Sequence, residues 1–237
     1  MSQPSRSVLI LMPALNEEEA VGQVVKEALA ALPEAEVLVV DGGSTDRTAE
    51  VARAAGATVL EMPFHLGVGG AIRAGLRYSL AAGFDATVAV DADGQHDPRQ
   101  VELLLAQLEG CAQPEVVIGS RFAGGGQWEA SRPRRFAMRL LAACMSRLTG
   151  TRLTDVTSGF RAYNRAAVAL LERTYPAEWL LDVIESLLLA HRAGARIVEV
   201  PVDMRPRQGG RPSQSALSSA VYLVRVLFAL LLSLIRR

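Results

Sequence analysis

Val88-Ala-Val-Asp-Ala-Asp-Gly-Gln-His-Asp97 is the stretch on which the reading of this chain turns. Its first residues belong to a short apolar run, Thr87–Val90, bounded by polar and turn residues as a buried strand is. Asp91 and Asp93 follow at once. In an open α/β sheet, ligands bind beyond the carboxyl ends of strands. Two carboxylates set there can turn toward one cation. Hard divalent ions such as Mg²⁺ or Mn²⁺ favour oxygen ligands and often bridge to substrate phosphates. Gln95 adds a neutral oxygen, and Pro98 opens the next helix at a first-turn position. A calcium loop of the helix–loop–helix kind is disfavoured: it wants glycine at its sixth position, Gly94 is fourth, and the segment before Asp91 is a strand. An ordinary Asp/Gly surface turn is the plain alternative for the triplet alone. His96 reads as a hydrogen-bonded turn residue, with metal ligation as its rival.

Outward from this stretch, Val8–Met12, Glu36–Val40, Thr58–Glu61 and Glu115–Ile118 are short and rich in Val, Ile and Leu, as buried strands are. Between them apolar residues recur at helical spacing. Val21, Val24, Val25, Ala28 and Leu29 mark one face of a first helix, which Asn16 is expected to cap with Glu19 completing a capping box. Further helices are expected near 46–55, 68–82, 98–109, 133–149 and 178–193, and a last strand at Arg196–Val202. Such alternation implies an α/β fold, a mostly parallel central sheet with helices on both faces. Two more polar turns end strands: Pro13-Ala-Leu-Asn-Glu17 and Asp41-Gly-Gly-Ser-Thr-Asp46. Three acidic turns therefore share one sheet edge. Asp41 can accept hydrogen bonds from a base or ribose, and Gly42 and Gly43 let backbone approach a ligand. Ser44 or Thr45 is a candidate cap for the next helix.

The chain has 237 residues, half of them apolar, enough for one large α/β domain. Formal net charge is zero, so no nucleic-acid partner is expected. Lys26 is the only lysine; the other basic residues are arginines. Cys111 and Cys144 have neither metal-ligand spacing nor the makings of a disulfide framework, which fits a reducing cytoplasmic compartment. The apolar run Val8–Met12 is too short for a signal peptide. Residues 1–214 are expected to form the domain and 215–237 a C-terminal apolar amphipathic helix. A helix of about 20 residues reaches about 30 Å, the thickness of a hydrocarbon core. Arg225 sits in the middle of Ala216–Ile235, and Val226–Leu232 alone cannot cross. Ser218, Tyr222, Arg225 and Ala229 form a narrow polar or small stripe. The expectation is a helix lying in the membrane surface or against a small membrane protein. Burial on its own sheet or in a dimer is the alternative.

Taken with Leu66-Gly-Val-Gly-Gly-Ala-Ile-Arg73, Gly119-Ser-Arg-Phe122, Asp155-Val-Thr-Ser-Gly-Phe-Arg161 and Glu199-Val-Pro-Val202, these turns run in one order along the chain. The pattern resembles the family 2 glycosyltransferases of GT-A fold, and among them the polyprenyl-phosphate (dolichyl-phosphate) mannosyl- and glucosyltransferases. The resemblance implies that Pro13, Leu15, Glu17 and Asp41, with Asp91-Ala92-Asp93, hold a nucleotide-sugar donor. It implies that Asp91, Asp93 and Gln95 hold Mg²⁺ or Mn²⁺ on its diphosphate. Arg121 would reach an acceptor phosphate, with Arg134 or Arg135 as a second arginine. The sequence departs from the family pattern at Val40, where a second aspartate is frequent, and at His65, where Asn is.

The chemistry follows from the residues. A departing nucleoside diphosphate gains negative charge, which a cation and arginines meet as it develops. Asp93 and Arg121 are thus the residues expected to carry catalysis. Arg205 and Arg207, in a Pro/Gly-rich loop, are candidates to close over the diphosphate. A phosphate monoester attacks without a general base, and the arginines among Arg121, Arg132, Arg134, Arg135 and Arg139 suit it, with Trp128 as a membrane-interface aromatic. A hydroxyl acceptor needs a base, for which Asp155, Asp182 and Glu185 are the candidates. The expected activity is inverting transfer of a hexose from a GDP- or UDP-sugar to polyprenyl phosphate, at the inner face of the cell membrane. Two alternatives stand: transfer to a hydroxyl of a glycan or small molecule, and a non-catalytic module that binds a nucleotide sugar and recruits a membrane partner.

Overall fold

In the computed structural model, residues 6–110, 112–123, 132–176 and 182–209 are described. Seven strands form one sheet: β1 (Val8–Ala14), β2 (Glu36–Asp41), β3 (Thr58–Glu61), β4 (Ala86–Ala89), β5 (Val116–Ser120), β6 (Arg161–Asn164) and β7 (Ile197–Pro201). Their spatial order is β3-β2-β1-β4-β6-β5-β7. All ladders are parallel except the two made by β6, which runs against β4 and β5. The chain reverses its direction of travel at β1, with β2 on one side and β4 on the other. The crevice beyond the carboxyl ends of β1 and β4 is thus the switch point where ligands bind in doubly wound sheets.

Among the described residues, seven α-helices cover the sheet: α1 (Val21–Ala31), α2 (Thr48–Ala54), α3 (Gly67–Ala82), α4 (Val101–Leu108), α5 (Arg132–Thr149), α6 (Arg165–Thr174) and α7 (Asp182–Arg192). Strand side chains alternate between faces, and β1 shows what that does. Val8, Ile10 and Met12 join Val21, Val25 and Ala28 of α1, Ala52 of α2 and Leu104 of α4 in one core. Leu9 and Leu11 join Ile72 and Leu76 of α3, Leu141 of α5, Leu171 of α6 and Leu187 of α7 in the other. Gly75 makes the α3 contact possible, since a Cβ there would lie 2.1 Å from the Leu11 side chain.

Among the described residues, the expected elements are present within a few residues of their expected ends, with three differences. The strand β6 and the helix α6 were not expected. Asn16 does not cap α1, whose N-cap is Ala20 without a side-chain hydrogen bond. Asn16 instead adopts a left-handed φ of 54°. It binds the next turn, its N–H on Ser44 Oγ at 2.9 Å and its Oδ1 accepting from Thr45 N–H at 2.8 Å. Thr48 Oγ1 and Asp46 take the following N–H groups, of Glu17 and Glu18, so the first two turns interlock. Neither Ser44 nor Thr45 caps α2, whose N-cap is Arg47 without a side-chain hydrogen bond; Asp46, one residue earlier, accepts the Thr48 N–H at 2.9 Å. The last helix, Ala216–Ile235, the arginine-flanking Trp128 and the side chains of Arg132 and Arg134 lie outside the described residues. Among the described residues, no helix is long and apolar enough to cross a membrane.

Because β6 is antiparallel, Arg161 pairs with Ala89 at the carboxyl end of β4. The loop that precedes β6 is therefore delivered to the same edge as the turns that follow β1, β2, β4, β5 and β7.

Candidate functional site

A cleft of about 750 Å³ opens at this edge. Pro13, Leu15, Glu17, Asp91, Ala92 and Asp93 all line it, as does Arg207. The two carboxylates of the Asp-Ala-Asp turn thus face one space. They differ in setting. The Asp91 side chain is 42% exposed, the Asp93 side chain 8%. Asp91 is steadied by His96, whose Nδ1 accepts the Asp91 N–H at 2.9 Å. The ring proton then lies on Nε2, which faces Asp91 Oδ2 at 3.5 Å. His96 is buried and stacked on Phe160, their centroids 5.0 Å apart. It is a support for Asp91, as the turn reading expected. Asp93 Oδ1 accepts the N–H of Gln95 at 2.9 Å, closing the turn through Gly94, whose φ is 79°.

Asp93 and Glu17 share one cation, Arg207. Its Nη1 donates to Asp93 Oδ2 at 2.9 Å and its Nη2 to Glu17 Oε1. Burial raises the Asp93 pKa, and the charge of Asp91 raises it further. Burial raises Glu17 to about 7, with Arg207 pulling the other way and Asp93 adding to the rise. These carboxylates are close enough to repel, in a site where desolvation already disfavours their charge.

A second cavity, of about 80 Å³, lies on the other side of Asp91. Gln95, His96, Arg121 and Thr157 line it. Arg121 is aimed by Asp155: its Nε and Nη2 donate to the two carboxylate oxygens at 2.6 and 2.8 Å, and Nη2 also reaches Thr157 Oγ1 at 3.0 Å. Such a fork-on-carboxylate pair fixes the guanidinium plane. Asp155 is in turn held by Glu199 of β7, which accepts the N–H groups of Thr154 and Asp155 at 2.7–2.8 Å.

The family 2 glycosyl transferase profile matches residues 9–171. The chain belongs to that family. This glycosyltransferase is 35% identical over 226 residues to the undecaprenyl-phosphate mannosyltransferase of Micrococcus luteus, covering 88% of this chain and 87% of the relative. It is 30% identical over 232 residues to the polyprenol monophosphomannose synthase of Mycolicibacterium smegmatis, with 94% and 87% covered. Among solved structures, the glucosyl-3-phosphoglycerate synthase of Mycobacterium tuberculosis with Mn²⁺, uridine diphosphate and phosphoglyceric acid matches with a TM-score of 0.71 at 26% identity. That match covers 97% of this chain and 78% of the other. The same enzyme with Mg²⁺ and uridine diphosphate matches with a TM-score of 0.67 at 26% identity, with 97% and 79% covered. The GT-A expectation holds.

The glycosyltransferase's own side chains suit a divalent cation. The two cleft carboxylates, Asp91 and Asp93, are hard oxygen donors, while Gln95 lines the smaller cavity with Asp91 and not the cleft. Glu17 and Asp93 share a single guanidinium, and Glu17 Oε2 is buried with no hydrogen-bond partner. Among the described residues, no three His, Cys, Asp or Glu side chains encage an ion. A cation would rest on two carboxylates and on substrate oxygens, as Mg²⁺ commonly does.

Other expected residues of the glycosyltransferase are placed differently. Asp41 is buried at the end of β2, uses Oδ1 to accept the Ser44 N–H at 2.8 Å, and does not line the cleft. Arg205 does not line the cleft: it is ion-paired to Glu27 of α1 and to Asp97. Arg135 is exposed on α5 and lines neither cavity. Asp155 is fully buried and spent on Arg121, Asp182 is buried at the head of α7, and Glu185 is exposed outside both cavities, so none is placed as a base. Sequence reasoning missed Glu199 as an anchor, although it interrupts an apolar strand. It also missed Arg161, fully buried and donating to Ser158 O, Val183 O, Ser186 Oγ and Val156 O at 2.7–3.1 Å.

Proposed function

We propose that this glycosyltransferase moves a hexose from a GDP- or UDP-linked donor to a polyprenyl phosphate, with inversion, using Mg²⁺ or Mn²⁺. Pro13, Leu15, Glu17, Asp91, Ala92 and Asp93 bind the donor; Asp91, Asp93 and Gln95 hold the cation; Arg207 meets the diphosphate. When bound, the cation offsets charge on the leaving diphosphate. Arg121 orients the acceptor phosphate, with Arg134 or Arg135 as a second arginine. One direct displacement inverts the sugar carbon. The observation that carries this reading is the pairing of Arg121 with Asp155 beside Asp91. It fixes a guanidinium on the wall of the small cavity beside Asp91, and it commits the Asp155 carboxylate to that arginine. A phosphate monoester, already ionised near neutral pH, needs a positioned cation and no base. The relatives named for lipid-phosphate transfer support the acceptor class. Residues 215–237 would hold the enzyme to the inner face of the cell membrane, directly or through a small membrane protein.

The test is a product assay on the full chain with GDP-mannose or UDP-glucose and Mn²⁺, offering polyprenyl phosphate, polyprenol and 3-phosphoglycerate in parallel. Sugar should appear on the lipid phosphate alone. Transfer to polyprenol or 3-phosphoglycerate, with none to the lipid phosphate, would overturn the reading in favour of a hydroxyl acceptor.

A further inference from the structure

Arg207 is the only Arg or Lys among the described residues lining the donor cleft, against six acidic ones: Glu17, Glu18, Glu19, Asp46, Asp91 and Asp93. Its guanidinium spans Asp93 and Glu17, and its Nε donates to Gly209 O at 2.6 Å. The backbone that carries it is fixed. Met204 bridges to His96, Arg205 N–H donates to Gln95 O at 2.9 Å, and Gln208 N–H donates to Asp93 O at 2.9 Å. Arg205 staples the same strap to Glu27 and Asp97. Gly94 lies beneath it against the Gln208 side chain, at a left-handed φ of 79° that favours glycine. The strap is therefore clamped to the Asp91–Asp97 turn on both sides of Arg207. Any motion of Arg207 is a swing of its side chain, not an opening of the loop.

A buried carboxylate cannot lose its partner cheaply; the charge left behind is uncompensated. While it stays ionised, Asp93 can release Arg207 only to another cation. A divalent ion on Asp91 and Asp93 is such a cation. The released guanidinium, still tethered at the cleft rim, is then within reach of an incoming diphosphate.

We infer that Arg207 is an internal counter-cation of the donor cleft, competing with the divalent metal for Asp93 and turning to the donor's diphosphate once displaced. This rests on the metal-dependent reading above. It makes Arg207 a positioning residue that couples metal and nucleotide. In its presence metal alone binds weakly, because Arg207 must be displaced. Metal and nucleotide together bind well, because the displaced Arg207 gains phosphate oxygens. Coupling of this kind is reciprocal between the two ligands.

The test is Mn²⁺ binding to the full chain, followed by calorimetry and by loss of the free Mn²⁺ electron paramagnetic signal, with and without GDP or UDP. Arg207→Gln should bind Mn²⁺ alone about tenfold more tightly than wild type, and nucleotide at saturating Mn²⁺ about tenfold more weakly, within the ordinary range of coupling between two bound species. Arg47→Gln removes a charge at the Glu18 side of the cleft without touching Asp93. It should leave Mn²⁺ affinity within about twofold, because an exposed charge in high dielectric acts weakly. Arg207→Lys keeps the charge but cannot bridge both carboxylates; it should move both affinities in the same directions by less, and it serves if the Gln variant does not fold. Unchanged or weaker Mn²⁺ binding in both Arg207 variants overturns the inference, as does an equal gain in Arg47→Gln. Absence of Mn²⁺ binding in wild type and variants, with nucleotide present, overturns the metal reading itself.

Discussion

The two halves of the sheet are built on different logic. From β1 to β4 every strand is parallel, and the residues proposed to bind donor and cation sit in turns that directly follow strands: Glu17 after β1, Asp91 and Asp93 after β4. From β5 to β7 the antiparallel β6 intervenes, and function sits on a network. Arg121 is aimed by Asp155, Asp155 is hung from Glu199, and Arg161 ties the loop before β6 to α7. In the half proposed to bind the donor, here the donor half, the backbone places the candidate groups. In the half proposed to bind the acceptor, here the acceptor half, buried side chains do. Changes in the donor half should therefore cost chemistry while sparing the fold, and changes in the acceptor half should cost alignment.

The largest effect tests the donor half. Asp93→Asn should lower kcat/KM by at least about 10³-fold, about 4 kcal/mol of transition-state stabilisation. Melting temperature at pH 8 should hold or rise, because burial and Asp91 make the charged form of Asp93 costly. Steady-state kinetics beside a thermal melt read both. Retained activity with a normal melt would remove Asp93 from the cation site.

How much of this was legible in the sequence follows the same division. Donor-half strands and turns are contiguous, so a short apolar run followed by Asp-x-Asp carries its meaning locally. The interlock of the first two turns was not legible: Asn16 stands where a cap would, and only the fold brings Ser44 and Thr45 to it. In the acceptor half, Arg161-Ala-Tyr-Asn164 has no run of Val or Ile and begins with a charge, so it does not read as an interior strand. It is one because three carbonyls and a hydroxyl meet the guanidinium from segments on both sides of it. Glu199 finds its partners 44 and 45 residues away. Arg205 and Arg207 flank Pro206 and looked equivalent as charges; which acid each meets depends on α1 and the cleft, which only the fold supplies.

A middle-sized effect probes the clamp between the halves' shared edge and α1. Hydrogen bonds from Arg99 and Arg205 hold Asp97 down to about 2, against burial, which acts the other way. The folded pKa lies below the ordinary 3.8. Stability from this group is thus present above the unfolded pKa and lost as pH falls through the folded one. Asp97→Asn should cost roughly 2 kcal/mol at pH 7 and about 1 kcal/mol by pH 3. Urea unfolding at the two pH values measures it; a difference independent of pH would place the cost in packing and not in charge.

The smallest effect decides whether the acceptor half works by alignment. Asp155 meets Arg121 through both carboxylate oxygens and is fully buried. If its task is to aim Arg121, Asp155→Asn should raise the KM for polyprenyl phosphate about tenfold, roughly 1.4 kcal/mol, leaving kcat and nucleotide affinity nearly unchanged. In an Arg121→Gln background the same change should add little, because the two residues act as one unit. A general base behaves otherwise: its loss collapses kcat and removes the acid limb of the pH–rate profile. That result would return Asp155 to the chemistry and favour a hydroxyl acceptor. A pure KM effect, coupled to Arg121, leaves the nucleophile to carry its own charge, and an acceptor phosphate is the group that does.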